Sequence, residues 1–262
     1  MSEFTSDIKP GDIINIQGPI PVDPEHVVWD SEINIGIKII EDAQKSVFCK
    51  VLDPSTVRWH DNHTMLYLGE NKIFSCEPPK PTYHALGDFD AEPKRIMSIY
   101  RFNREFFGKT LDQDDLAIFK DGAEKIVGWN LKYDIGQLAD ILIDTFAKIP
   151  YKDEVHLFDA DGGKEDKNVD IVKNKQHLVC SVAVAALIAD WQRKLEEEKK
   201  DFTIREPWSM LNPAAWTEAF KKRYPGHWDC GSIFPAMFAC TDTHFAGEFK
   251  HIGHYQGGYK IE

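Results

Sequence analysis

The chain has 262 residues, and its composition is that of a folded, acidic protein. Apolar residues make up 42% of it, which allows a sizeable core, and the net charge is -12. That charge argues against general nucleic-acid binding and against adhesion to anionic membranes, because both require clustered Lys and Arg. We expect one domain over residues 1–262, in which the aromatic and His-rich end, about 225–262, has no predictable structure.

The cysteines are odd in number and widely spaced, at Cys49, Cys76, Cys180, Cys230 and Cys240. No CxxC pair occurs, so the spacing predicts neither a zinc ribbon nor a disulfide framework, and we expect neither a metal nor a cofactor. The first residues do not resemble a secretory signal, and no apolar run is long enough to span a bilayer. We therefore expect a soluble protein without stable membrane insertion. It would be cytoplasmic, or delivered by a phage, a virus or a secretion system; the oligomeric state is left open.

The first half of the chain has strand patterns. Ile13–Ile16 follows a turn at Gly11-Asp12, and Arg95–Phe102 alternates in the manner of a strand. Residues Glu32–Gln44 fit both the alternating pattern of a strand and the spacing of a helix. Their length and a preceding Asp-Ser pair favour a helix.

A hairpin is predicted between these segments. His63–Leu68 and Ile73–Glu77 are rich in β-forming residues and flank a turn that contains Gly69 and Asn71. The prolines of Pro78–Pro81 are expected to end the second strand.

The later part of the chain has helical patterns. Leu111–Ile126 carries acidic residues in its first turn, Ile135–Phe146 ends before Pro150, and Lys152–Lys175 is a charged linker. A strongly apolar helix then begins near Cys180.

Cys180 falls in the first turn of this apolar helix. The positive end of a helix dipole stabilises a thiolate, which is the nucleophilic form of cysteine. A buried cysteine that acts as a small apolar residue is the alternative.

A catalytic cysteine needs a base and a group that orients the base. His63 is the candidate base, because it opens a strand and its ring can project from a rigid element. On the returning strand, Ser75 and Glu77 share one side by the period-two rule, so either can face the imidazole. Zinc ligation by His60, His63 and Cys76 is a weaker alternative, because that spacing crosses the strand faces.

Together these motifs resemble the circularly permuted NlpC-type cysteine hydrolases, and the YiiX-like branch most of all. In that family the strand histidine precedes the cysteine in sequence. The resemblance covers most of the chain from Pro10 to about Ala215. It rests on the runs Gly11–Ile14, His63–Gly69 and Lys72–Pro78, on Gly128 with Tyr133-Asp134, and on Cys180 at the start of an apolar helix.

The resemblance implies an α+β, permuted papain-like fold, with an antiparallel sheet packed against helices and the nucleophile at a helix N-terminus. It implies a cysteine amidase or peptidase acting on peptide-type amides, possibly those of cell-wall peptides, with Cys180 as nucleophile and His63 as base. Ser75 stands where the family's third polar residue is expected, but Glu77 is favoured as the orienting group because it carries charge. The alternatives are a lipid acyltransferase of the lecithin:retinol acyltransferase type and a non-enzymatic papain-like binding or virion module.

Overall fold

A computed structural model gives the fold, and it describes residues 2–18, 38, 41, 44, 60–77, 80–90, 94–128, 132–133, 177–178, 180–197, 235–239 and 247–261. Its strands are β1 (Ile13–Gln17), β2 (His63–Gly69), β3 (Lys72–Glu77), β4 (Lys80–Ala85), β5 (Ile96–Phe102), β6 (Lys132–Tyr133), β7 (His177–Leu178), β8 (Phe249–Gln256) and β9 (Tyr259–Lys260). Its helices are α1 (Glu3–Asp7), α2 (Gly87–Asp90), α3 (Arg104–Phe107), α4 (Gln113–Gly128), α5 (Cys180–Glu197) and α6 (Pro235–Ala239).

Some predicted elements fall outside these residues. The predicted helix Ile135–Phe146 and the predicted linker Lys152–Lys175 lie there entirely. Of the predicted helix Glu32–Gln44, the structure describes three separate residues, Lys38, Glu41 and Gln44, each in helical conformation.

Seven of the strands form one antiparallel sheet in the order β4-β3-β2-β1-β5-β8-β9, and β6 pairs with β7 in a separate two-stranded parallel sheet. The prediction of an α+β protein with an antiparallel sheet and helices is confirmed. The predicted strands around residues 13–16 and 95–102 are confirmed as β1 and β5, and the helix predicted from Leu111 is confirmed as α4.

The hairpin of β2 and β3 sits near the centre of the sheet and is confirmed by the pairing of Met65 with Ser75. Its turn places Glu70 and Asn71 at φ values of 53° and 62°. Two consecutive positive φ values are those of a type I′ turn, whose twist matches that of the flanking strands. The local sequence therefore sets the register on which the candidate site depends.

The prediction that the prolines end the second strand is confirmed, since β3 ends at Glu77, but a further strand, β4, follows that was not predicted. Strand β4 pairs antiparallel with β3, with Pro81 opposite Cys76. This is possible because β4 is the edge strand, and a proline that lacks an N–H is tolerated at a sheet edge. The C-terminal segment, for which no structure was predicted, supplies β8 beside β5.

One face of the sheet, here called face A, is covered by the short helices α1 and α2. Its core cluster joins sheet residues to Phe4 of α1 and Phe89 of α2, and its members are Phe4, Ile8, Ile14, Ile16, Met65, Ile73, Leu86, Phe89, Met97, Ile99 and Tyr255. All of these side chains are buried. Apolar contact on this side therefore holds α1 and α2 against the central strands.

The opposite face, face B, is covered by α4 and α5. Phe102 of β5 lies on this face, with its ring 5.3 Å from that of Trp191 in α5 and 5.8 Å from that of Phe119 in α4. The Trp191 indole also donates a 2.8 Å hydrogen bond to Asp115 of α4. Helix α5 packs along β2 and β3, so its first residue lies close to the central hairpin.

Candidate functional site

His63 is the first residue of β2 and is completely buried. It pairs with Ile16 of β1, and it shares face A with Ile16 and with Met65, two residues further along the strand. The sheet thus holds the imidazole ring at the end of its central hairpin.

A continuous chain of hydrogen bonds leads away from this ring across face A. His63 Nε2 lies 2.8 Å from Ser75 Oγ, and Ser75 Oγ donates to Glu77 Oε2 over 2.7 Å. Glu77 Oε1 lies 2.6 Å from His84 Nε2 on β4. The prediction that Ser75 and Glu77 share one side of their strand is confirmed by the hydrogen bond between them. Ser75 contacts the imidazole directly, while Glu77 Oε2 lies 3.6 Å from His63 Nε2.

The direction of each hydrogen bond follows from counting protons. The single hydroxyl proton of Ser75 is donated to Glu77, so the hydrogen bond between Ser75 and His63 must be donated by His63 Nε2–H. A neutral imidazole carries one N–H, so Nδ1 bears a lone pair. Nδ1 is buried and has no hydrogen-bond partner among the described residues. A base needs this arrangement: one nitrogen held by an acceptor and the other able to take a proton.

Burial sets the charge of the ring. The loss of solvation lowers the pKa of His63 to about 4, and the negative charge of Glu77 opposes this shift without overcoming it. His63 is therefore neutral at pH 7, and its lone pair is available throughout the physiological range.

Cys180 is the first residue of α5 and is 1% exposed. Burial raises the pKa of the Cys76 thiol well above its ordinary value, and the electrostatic effect of Cys180, which lies nearby, adds to that rise. Cys76 stands between Ser75 and Glu77 in β3, so its side chain points to face B. Helix α5 packs against the same face.

The structure therefore brings His63, Ser75 and Glu77 together on face A and places the Cys180 helix against face B. Both groups occupy the same end of the sheet, because Cys76 and Glu77 are neighbours in sequence and Glu77 is the last residue of β3. The side chain of Tyr133, a further candidate for the cleft, lies outside the described part of the chain.

His84 is the member of this cluster that sequence reasoning missed. The period-two rule applied to β4 would have revealed it, since His84 pairs with Ile73 and so shares face A. The prolines before it concealed the strand and with it the histidine.

The described residues also bear on metal binding and on membrane insertion. No three His, Cys, Asp or Glu side chains among them cluster as metal ligands. None of the helices in the described ranges combines the length and apolarity needed to cross a membrane.

The orienting role is tested by two substitutions in the hydrogen-bond chain. Both partners of the Glu77 carboxylate are donors, so Glu77→Gln turns an N–H₂ group toward one of them and removes the charge that stabilises an imidazolium. We expect kcat/KM to fall at least about tenfold, or ~1.4 kcal/mol. Ser75→Ala should cost less, because the carboxylate remains near the ring. The reverse order of losses, measured under the same conditions, would assign the orienting role to Ser75.

No protein-family model matches the sequence, and no curated protein or solved structure is significantly similar to it. Any function must therefore be argued from the geometry of the site and the short motifs of the chain.

Proposed function

We propose that the chain is a cysteine amidase or peptidase related to the permuted NlpC-type hydrolases, with Cys180 as nucleophile, His63 as base and Glu77 as the orienting group. The observation that carries the proposal is the neutral, buried His63, whose Nε2–H is donated to Ser75, itself hydrogen-bonded to Glu77, while the Nδ1 lone pair has no partner among the described residues. A base held in this way fits acyl transfer to a cysteine.

The proposed reaction has two stages. His63 Nδ1 takes the proton of the Cys180 thiol, the sulfur adds to an amide carbonyl, and the imidazolium returns the proton to the leaving amine. Water activated by His63 then breaks the thioester, releasing the acid and the free thiol. The Cys180 backbone N–H, at a helix N-terminus, supplies one donor for the oxyanion. Glu77 stabilises the imidazolium formed at the centre of both stages.

This mechanism sets a geometric requirement. Since His63 and the α5 helix belong to opposite faces, Nδ1 and the Cys180 sulfur must meet past the ends of β2 and β3. His63 and Glu77 are terminal residues of their strands, so this meeting point would lie at the end of the hairpin.

The burial of Cys180 and its position against face B favour a second candidate, a non-enzymatic papain-like binding module in which Cys180 is a core residue. A lipid acyltransferase remains a third prediction, and its lysolipid product would separate it from an amidase, which releases an amine.

The two leading candidates can be separated without knowledge of the substrate. We expect iodoacetamide near pH 7 to label Cys180 ahead of Cys76, because Cys180 lies at a helix N-terminus, which stabilises a thiolate, whereas Cys76 lies within a strand and burial raises the pKa of its thiol. Mass spectrometry locates the label, and His63→Ala should slow the labelling of Cys180 while leaving that of the remaining cysteines unchanged. If Cys180 is labelled at the same rate with and without the imidazole, the two residues do not form a catalytic pair.

A further inference from the structure

The hydrogen-bond chain does not end at Glu77. It continues to His84, whose side chain is 17% exposed, against 6% for Glu77 and 1% for His63. The chain therefore links a buried imidazole to one that solvent can reach, over three successive hydrogen bonds of 2.8, 2.7 and 2.6 Å.

His84 fixes the second oxygen of the Glu77 carboxylate. Ser75 donates to Oε2 and His84 Nε2–H donates to Oε1, so both oxygens are held and the carboxylate cannot rotate without losing a hydrogen bond. The His84 ring is itself packed edge-on against Phe89 of the core, with centroids 5.3 Å apart. The core residue Phe89 thus helps to fix the position of His63, through the hydrogen bonds that join His84, Glu77 and Ser75 to it.

We propose that His84 is a positioning residue for His63, acting through Glu77 and Ser75, and that protonation of His84 adjusts the basicity of His63. The inference rests on the proposed function only in giving His63 the role of base; the coupling between the two imidazoles stands independently. When His84 is charged, the negative charge of Glu77 is shared between two cations, and an imidazolium at His63 is less favourable.

Among the described residues, three charged groups act on His84. They are Glu77 on β3, Asp88 in α2, whose carboxylate lies 4.0 Å from Nδ1, and Arg95 just before β5. Burial acts to lower the pKa of His84, but Glu77 and Asp88 outweigh it, and the pKa is raised. At His63, burial lowers the pKa, Glu77 raises it, and both His84 and Arg95 lower it. Removal of the His84 charge should therefore raise the pKa of His63.

The test is an NMR titration of the histidine ring signals in the full chain, which requires no substrate. In the wild type, the His63 signals should show a second inflection at the pH where His84 titrates. His84→Gln should remove that inflection and raise the pKa of His63, while the exposed control His251→Gln should change neither. Asp88→Asn leaves the hydrogen-bond chain intact but removes a charge that raises the pKa of His84, so it should move the inflection to lower pH.

The proposal would be overturned if the His63 signals showed no inflection at the pH where His84 titrates, in the wild type and in Asp88→Asn. This result would be decisive even if His84→Gln did not fold. If the signals are coupled but Cys180→Ala retains full turnover, the proposed hydrolase mechanism fails and the coupling stands. For an active enzyme we expect His84→Gln to lower kcat about tenfold with little change in KM, because His84 touches no reacting atom.

Discussion

Cys180→Ala is expected to abolish hydrolysis of any peptide or amide substrate that the wild type cleaves. The substitution removes the only atom that can form the proposed acyl-enzyme, so kcat should fall by at least about a thousandfold, or ~4 kcal/mol. Stability should change by about 1 kcal/mol or less, because the substitution removes a single buried sulfur atom. Turnover and thermal unfolding, measured on the same preparation, separate the two effects.

Cys76→Ala is the matched control for this experiment. Cys76 is as buried as Cys180, lies near it and loses the same atom, but it lies within β3 and not at a helix N-terminus, and burial raises the pKa of its thiol. We expect Cys76→Ala to keep most of the activity. Full turnover by Cys180→Ala would rule out the proposed nucleophile, and equal loss in both variants would point to disturbed packing beneath α5.

His63→Ala is expected to lower kcat by at least about a hundredfold, which is the usual contribution of general acid–base catalysis. The proton of the thiol then has no acceptor, and the leaving amine has no donor. The pH–rate profile supplies a second test. Because burial lowers the pKa of His63 to about 4, the wild type should lose activity on acidification only as the pH approaches that value, when Nδ1 becomes protonated.

The control for His63→Ala is His251→Ala, which removes an exposed imidazole that lies outside the hydrogen-bond chain and should not affect turnover. If His63→Ala retains wild-type activity while Cys180→Ala loses it, the base is another group. If both His63→Ala and Cys180→Ala remain active, the chain is not a hydrolase of the proposed type.

Local sequence was sufficient to predict the parts of the site that depend on neighbouring residues. The alternation of side chains along β3 placed Ser75 and Glu77 on one side of the strand. The turn at Glu70 and Asn71, both with positive φ, determined how the two strands of the hairpin pair. Apolar periodicity placed Cys180 in the first turn of a helix. Each of these features is decided over a few residues, by backbone sterics and side-chain direction.

Only the tertiary structure decided which of these elements face each other. Strand β8 pairs with β5 across about 150 residues of sequence, and β4 accepts a proline because it has a neighbour on one side alone. The prolines concealed the pairing of β4, and that of β8 leaves no local signal. The same is true of the face that α5 covers: a helix with a wide apolar surface can pack on either side of a sheet, and long-range contacts such as that of Trp191 with Phe102 select face B. Periodicity thus determined which residues are candidates for the site. Packing between distant segments determined that the hydrogen-bond chain of His63 lies on one face of the sheet and Cys180 beside the other.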